Sequence, residues 1–386
     1  MRRYLATVGV VVALGWTGAA MAASAPTPDI NSGFLGYCKM RPTLEATWSC
    51  YVDGLYADVE HSKDPAAELP RLDRFVHGTH GYLESACHMM MHVVGRRYAT
   101  RHHVTLANLR KYLPRSNDPG CSAGFGMGLV MALGPEIGRL GPTGAVRLCS
   151  RAPTRFRQYT CVHSLGHAYM RLYDEQLPYA LDACRALGSA EAPDCAQGAF
   201  HDYWLSAGAK DGTVTRPGQT HSARVLCVQQ QASFVLPCWY RFFLELPPKR
   251  APATAQAVAD LCRDLDGLQR SGCIAAASLI STPDPFAQSQ ICSQLDGTDA
   301  ASCVRGVGVQ NLADSGLEKQ LELIRTCRRL PPEARQECSA WFGKTLAVVT
   351  NGSFAKKGCE RLNSASDRYA CTTGASRMKG PLVTFS

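Results

Sequence analysis

The chain has 386 residues and a net charge of +9, with 41 Lys and Arg against 32 Asp and Glu. The basic excess is spread along the chain, with no run of Lys or Arg longer than two residues, which argues against a nucleic-acid-binding surface. The 18 cysteines include no C-x-x-C spacing, which argues against a thioredoxin-type redox motif, a zinc ribbon and covalent haem attachment.

The N-terminus predicts a secretory signal peptide over residues 1–23. Arg2 and Arg3 give a positive start, an apolar core follows, and Ala20-Met21-Ala22 is a small-residue cleavage site. The alternative is a signal anchor, but the apolar core is shorter than the roughly 20 residues that span a membrane. We therefore expect a periplasmic or secreted protein without a stable membrane anchor.

The cysteines follow a repeat along the chain. Eight pairs are separated by 11 or 12 residues, and from Cys149 onward the first cysteines of successive pairs are 30–43 residues apart. An exported chain with an even number of cysteines favours disulfides over free thiols. We predict a local disulfide within each pair and, by elimination, a ninth between the two remaining cysteines; a long-range connectivity is the alternative. The predicted disulfides are Cys38–Cys50, Cys87–Cys121, Cys149–Cys161, Cys184–Cys195, Cys227–Cys238, Cys262–Cys273, Cys292–Cys303, Cys327–Cys338 and Cys359–Cys371.

The sequence around these cysteines predicts helical hairpins. Several first cysteines begin the pattern C-x-x-L, as in Cys184 to Leu187, with an alanine- and leucine-rich run before it and turn-forming residues after it. The first cysteine is therefore predicted to close one helix, and the second to lie in the first turn of the next. A repeat of this length with two helices per unit is typical of an α-solenoid. We predict an all-α chain, a solenoid of about nine or ten helical hairpins, most of them closed by a local disulfide.

This repeat design resembles that of secreted, disulfide-stapled tetratricopeptide-like proteins of the Sel type. The resemblance lies in the spacing of helices and cysteines, because individual tetratricopeptide consensus residues are missing. Within the mature chain we expect an extended or disordered lead over residues 24–36. Histidine-rich helical repeats then follow over 37–221, and cysteine-stapled helical repeats over 222–386.

Histidine is concentrated in the N-terminal repeats, where ten of the 11 histidines lie within the first 201 residues. Two predicted helices carry histidines at i and i+4, His88 with His92 and His163 with His167, which places each pair on one helix face. His167 and His201 both stand six residues after a second cysteine. Because equal positions on successive solenoid helices lie along one wall, we expect these side chains to converge, with the first pair one or two repeats away.

Histidine pairs accompanied by carboxylates are typical ligands of Zn, Fe, Mn or Cu. The H-E-x-x-H motif of zinc proteases is absent, since no glutamate lies between the paired histidines. If the protein is an enzyme, we expect a metal-dependent hydrolase or oxidase in which the ion activates water or dioxygen. The predicted metal ligands are His88, His92, His163, His167, His201, Asp202 and Glu84.

Two other functions remain open from the sequence. A non-enzymatic scaffold would bind a peptide or protein partner on a concave helical surface, but it does not predict the uneven distribution of histidine. A copper-handling protein would use methionine sulfur, although methionine at helical spacing more often fills the core. The methionines near the histidines are Met89, Met90, Met91, Met127 and Met170.

Overall fold

The computed structural model describes residues 32–62, 64–79, 81–116, 120–208, 223–244, 252–282, 285–313, 327–328, 330–350, 352 and 355–376. All the regular structure in these ranges is helical, which confirms the predicted all-α class. The described helices are α1 (Ser32–Lys39), α2 (Leu44–His61), α3 (Pro65–His77), α4 (Tyr82–Arg101), α5 (Leu109–Tyr112), α6 (Cys121–Ala132), α7 (Gly134–Ser150), α8 (Arg155–Leu172), α9 (Leu177–Ala186), α10 (Ala192–Gly208), α11 (Ala223–Cys227), α12 (Ala232–Leu244), α13 (Ala255–Leu261), α14 (Gly267–Ser281), α15 (Pro285–Cys292), α16 (Gly297–Ala313), α17 (Pro332–Thr350), α18 (Ala355–Glu360) and α19 (Ala365–Ser376).

Two predictions concern the N-terminus, namely the signal peptide and the extended lead that follows it. The predicted signal peptide lies outside the described residues. Within the predicted extended lead, residues 32–36 belong to helix α1 instead. Phe34 of this helix is buried and belongs to the hydrophobic core, so burial of an apolar side chain favours the helix there. Among the described helices, none is both long and apolar enough to cross a lipid bilayer.

Consecutive helices form hairpins, and helix caps determine where the second helix of a hairpin begins. Helix α8 begins at Arg155, where the backbone N–H of Arg157 donates to the side chain of Thr154. Cys161 therefore lies in the second turn of α8, and its predicted place in the first turn is wrong. Its partner Cys149 lies in the last turn of α7, as predicted for a first cysteine.

Nine disulfides connect the cysteines in the predicted pairs, and no cysteine is free. Eight of them join two segments of one local hairpin. The ninth, Cys87–Cys121, joins helices α4 and α6 across a longer separation of 34 residues, with a Cα–Cα distance of 5.2 Å. In the chain-entropy picture a bridge that closes a loop of about a dozen residues stabilises the fold by about 3 kcal/mol.

The second helices of the hairpins lie side by side in chain order. Helix α8 contacts α6 and α10, α10 contacts α12, and the row continues through α14 and α16 to α17 and α19. Helix α17 also contacts α8, so the row curves and brings a C-terminal helix back to the histidine-rich part. The buried apolar side chains form one continuous core from Phe34 to Cys371.

Glycine allows helices α8 and α10 to approach closely. A Cβ atom on Gly166 of α8 would lie 2.0 Å from the carbonyl oxygen of Cys195 in α10. A Cβ on Gly198 of α10 would lie 2.0 Å from the carbonyl oxygen of His163 in α8. Neither position accepts a larger residue without moving the backbone, because packed interiors leave no such space. This contact places the histidines of α8 next to His201.

Candidate metal centre

Five imidazoles from three helices lie together in the histidine-rich repeats. His88 and His92 come from α4, His163 and His167 from α8, and His201 from α10. The ring centroid of His167 lies 4.9 Å from those of His92 and His163, and 5.0 Å from that of His201. The ring of His88 lies 4.8 Å from that of His92. The structure thus brings together all five histidines among the predicted ligands.

Four of these imidazoles are buried. The exposed fraction is 2% for His92, 1% for His163, 0% for His167 and 3% for His201. The Nδ1 atom of His92 is buried and has no hydrogen-bond partner among the described residues. Burying polar nitrogens costs free energy unless they are hydrogen-bonded or bound to an ion. A cluster of four buried imidazoles therefore differs from a core in which side chains only fill space.

The Nε2 atoms within each i, i+4 pair lie close to one another. The separation is 3.2 Å between His88 and His92, and 3.1 Å between His163 and His167. This separation is that of an N–H···N hydrogen bond between the two rings. It is also close to the about 3.3 Å between two nitrogens bound to one tetrahedral ion at about 2.0–2.1 Å. Three ring nitrogens also lie within 4.8 Å of one another, one each from His163, His167 and His201.

Asp202 lies behind one of these imidazoles. Its Oδ1 atom lies 3.0 Å from Nδ1 of His167, and its Oδ2 atom lies 3.7 Å from Nε of Arg171. Burial raises the pKa of Asp202, but His167, Arg171 and Arg96 lower it more, so the carboxylate is ionised. A carboxylate at Nδ1 favours the tautomer in which Nε2 carries the lone pair that binds a metal. This geometry makes Asp202 an orienting partner of His167.

Burial also determines the protonation of the imidazoles. It lowers the pKa of His92, His163 and His201 well below the usual 6.5, and neighbouring positive charges lower it further. These side chains are therefore neutral at neutral pH. Because a proton competes with a metal ion for the ring nitrogen, the neutral form is the one that coordinates.

Arg241 of α12 joins the cluster, and the sequence did not point to it. Its Nη2 atom lies 3.4 Å from Nε2 of His163. Arg241 belongs to the predicted C-terminal repeats, but α12 packs against α10 and carries the side chain across to the histidines. It stands three residues after Cys238, whereas His201 stands six residues after Cys195. The shared register that identified the histidines therefore gives no signal for this arginine.

Glu84 and the methionines, the other candidate ligands, have surroundings that differ from those of the clustered histidines. Glu84 is one-third exposed, and its Oε1 atom lies 3.5 Å from Nδ1 of His77 at the end of α3. That contact gives the Glu84 carboxylate a partner other than the paired histidines of α4. Met90, Met91 and Met170 are fully buried in the hydrophobic core, as expected of methionines that fill space.

Comparisons of the chain with protein-family models, with curated proteins and with solved structures found no match. What the chain shares with Sel-type proteins is thus a design, namely helical hairpins closed by local disulfides. The function of this chain is inferred from the chemistry of the imidazole cluster.

Proposed function

We propose that this is an exported helical-repeat protein that holds a transition-metal ion in the imidazole cluster. The ligands are His163, His167 and His201, with His92 beside them. The observation that carries the proposal is that these three buried histidines offer nitrogens within 4.8 Å of one another. Three imidazoles and one open position are the ligand set of many catalytic zinc sites, and imidazole also suits Fe and Cu.

The surroundings support a reactive ion over a purely structural one. Structural zinc sites have four protein ligands, whereas a three-histidine set leaves a position for water or substrate. An ion there would lower the pKa of bound water or activate dioxygen, so we propose a metal-dependent hydrolase or oxidase. Asp202 would keep His167 in the binding tautomer. The nine disulfides fit an oxidising compartment, in agreement with the predicted signal peptide.

Metal analysis tests the proposal directly. Protein is purified from its export compartment without chelator and its metal content is measured by inductively coupled plasma mass spectrometry. We expect about one equivalent of Zn, Fe or Cu. The double variant His163→Ala/His167→Ala should lose that metal while keeping the helical circular-dichroism spectrum. The matched control is His61→Ala, which changes an exposed histidine at the end of α2.

Two results would overturn the metal site. One is wild-type protein that stays below about one tenth of an equivalent even after incubation with each of the three metals. The other is a double variant that keeps as much metal as the wild type and the control.

A further inference from the structure

Arginine side chains surround the imidazole cluster. Arg241 of α12 contacts Nε2 of His163 at 3.4 Å, and Arg171 of α8 lies 3.7 Å from Asp202. Arg96 of α4 acts electrostatically on both His92 and Asp202. These three arginines bring positive charge to the centre even before a metal ion is added.

Two carboxylates near the cluster lie beside Arg171. Arg171 donates to Glu175 at 2.7 Å and also faces Asp202. Arg241, in contrast, makes no ion pair with any carboxylate among the described residues. Its contacts there are the imidazole of His163 and the ring of Tyr240, 5.2 Å from the guanidinium carbon. Its Nε atom is buried without a hydrogen-bond partner in the described part of the chain.

The phenols beside Arg241 supply no negative charge either. Burial raises the pKa of Tyr159 and of Tyr240, so both remain neutral. The hydroxyl of Tyr159 donates to the side-chain oxygen of Gln197. Among the described residues, Arg241 is therefore a cation without a paired carboxylate at the edge of the histidines.

Nε2 of His163 has a single lone pair, so a metal ion bound there would replace its contact with Arg241 and leave the guanidinium next to a second cation. Two neighbouring cations in a buried site repel strongly unless an anion lies between them. An oxyanion meets both needs, because one oxygen can bind the metal while others accept the paired N–H groups of arginine. The same arrangement would stabilise negative charge that develops on the oxygen during a reaction.

We infer that the substrate of this centre presents an oxyanion, a carboxylate or a phosphate group, which binds between the metal ion and Arg241. The inference rests on the proposed metal site and names the class of ligand that its open position takes.

Cobalt-loaded protein provides the test, because the visible absorption of Co²⁺ responds to a change of its ligands. Inorganic phosphate and acetate are titrated separately into the wild type, Arg241→Gln and Arg241→Lys. We expect the wild-type spectrum to change with at least one of these anions. Both variants should need at least about tenfold more of it, since a charge-assisted hydrogen bond or its paired geometry is lost. The control Arg139→Gln changes an exposed arginine of α7 and should match the wild type.

The outcomes separate the two proposals. A response to phosphate alone or to acetate alone identifies which oxyanion the site prefers, and either supports the inference. If Co²⁺ binds but neither anion changes its spectrum, or if the Arg241 variants respond like the wild type, the oxyanion site is overturned and the metal site stands. If Co²⁺ does not bind to folded wild-type protein, both proposals fall. Near-UV circular dichroism and cobalt content identify any variant that does not fold, and Arg241→Lys then carries the comparison.

Discussion

The imidazole of His167 is in contact at both of its nitrogens. Nδ1 lies 3.0 Å from Oδ1 of Asp202, and Nε2 lies 3.1 Å from Nε2 of His163. His167 is completely buried, so water does not compete for either contact. A ring held in this way already has the tautomer and orientation that a metal ion requires, which lowers the free-energy cost of binding.

Asp202→Asn is expected to lower the affinity for the metal by about 10–100-fold. The amide keeps the size of the carboxylate but removes the charge that favours a proton on Nδ1 of His167. Affinity is measured by competition with a chromophoric chelator. The control is Asp182→Asn in α9, whose side chain is 63% exposed and pairs with Arg185 on the surface. Equal affinities of the two variants would contradict the orienting role.

The metal-free protein should become less stable as the pH falls below about 6.5. Burial lowers the pKa of His92, His163 and His201, so the unfolded chain takes up protons at a pH where the folded chain does not. The free energy of unfolding then decreases with falling pH, by at most about 1.4 kcal/mol per pH unit for each histidine. The loss continues until the pKa of the folded state is reached.

Urea unfolding between about pH 7.5 and pH 5, with the disulfides intact, measures this dependence. A variant with His163 and His201 replaced by glutamine should show a weaker dependence on pH. An equal slope for this variant and the wild type would assign the effect to other groups.

Helices α8 and α10 form the element on which the centre is built. Their backbones approach at Gly166 and Gly198, and a local disulfide joins each helix to the one before it. The distance between His167 and His201 therefore depends on two residues that carry no side chain. A small increase in the spacing of the helices would separate these proposed ligands, because metal coordination tolerates little displacement.

Gly166→Ala is expected to destabilise the fold by about 1–3 kcal/mol, because the new methyl group would overlap the carbonyl oxygen of Cys195. It should also weaken metal binding by moving α8 away from α10. Chemical denaturation and chelator competition measure the two effects. Gly36→Ala in α1 is the control, since a Cβ there meets nothing within 4 Å. A Gly166 variant as stable as this control would contradict the close contact.

The sequence predicted these elements well where the cysteine spacing repeats. It predicted them less well where a helix cap or the packing of a particular side chain determines the structure. The common register after the second cysteine identified His167 and His201 as neighbours, and the structure places their ring centroids 5.0 Å apart. The start of α8 was set too late because Thr154 caps the helix before Cys161. Arg241 was not predicted because its contact with His163 depends on how α12 packs against α10, and no repeated spacing reports that packing.

At the scale of the whole molecule, stability comes from many local links. Each short hairpin buries little apolar surface by itself and depends on its neighbours, as in other repeat proteins. The disulfides restrict the unfolded chain at intervals along its length. The contact between α17 and α8 adds a long-range link that a simple row of repeats does not have.

Reduction should therefore unfold the protein and, if the proposed metal site is correct, release the ion. Thiol titration in denaturant without reductant should detect essentially no free thiol, because every cysteine is paired. After treatment with reductant, we expect loss of the helical circular-dichroism signal at a temperature where the oxidised protein is folded, since removing disulfides from such folds costs about 2–5 kcal/mol each. Two or more free thiols before reduction, or an unchanged spectrum after it, would contradict this expectation.

The order of the cysteines has a consequence for how the chain acquires its fold. Every disulfide joins a cysteine to the next one along the sequence, from Cys38–Cys50 to Cys359–Cys371. When such a chain is translocated from its N-terminus into an oxidising compartment, the second cysteine of each pair is the next cysteine to enter after the first. Correct bonds can then form one after another, with no earlier thiol left to be exchanged. We expect oxidative maturation to proceed without disulfide isomerase, so that a dithiol oxidase alone is sufficient.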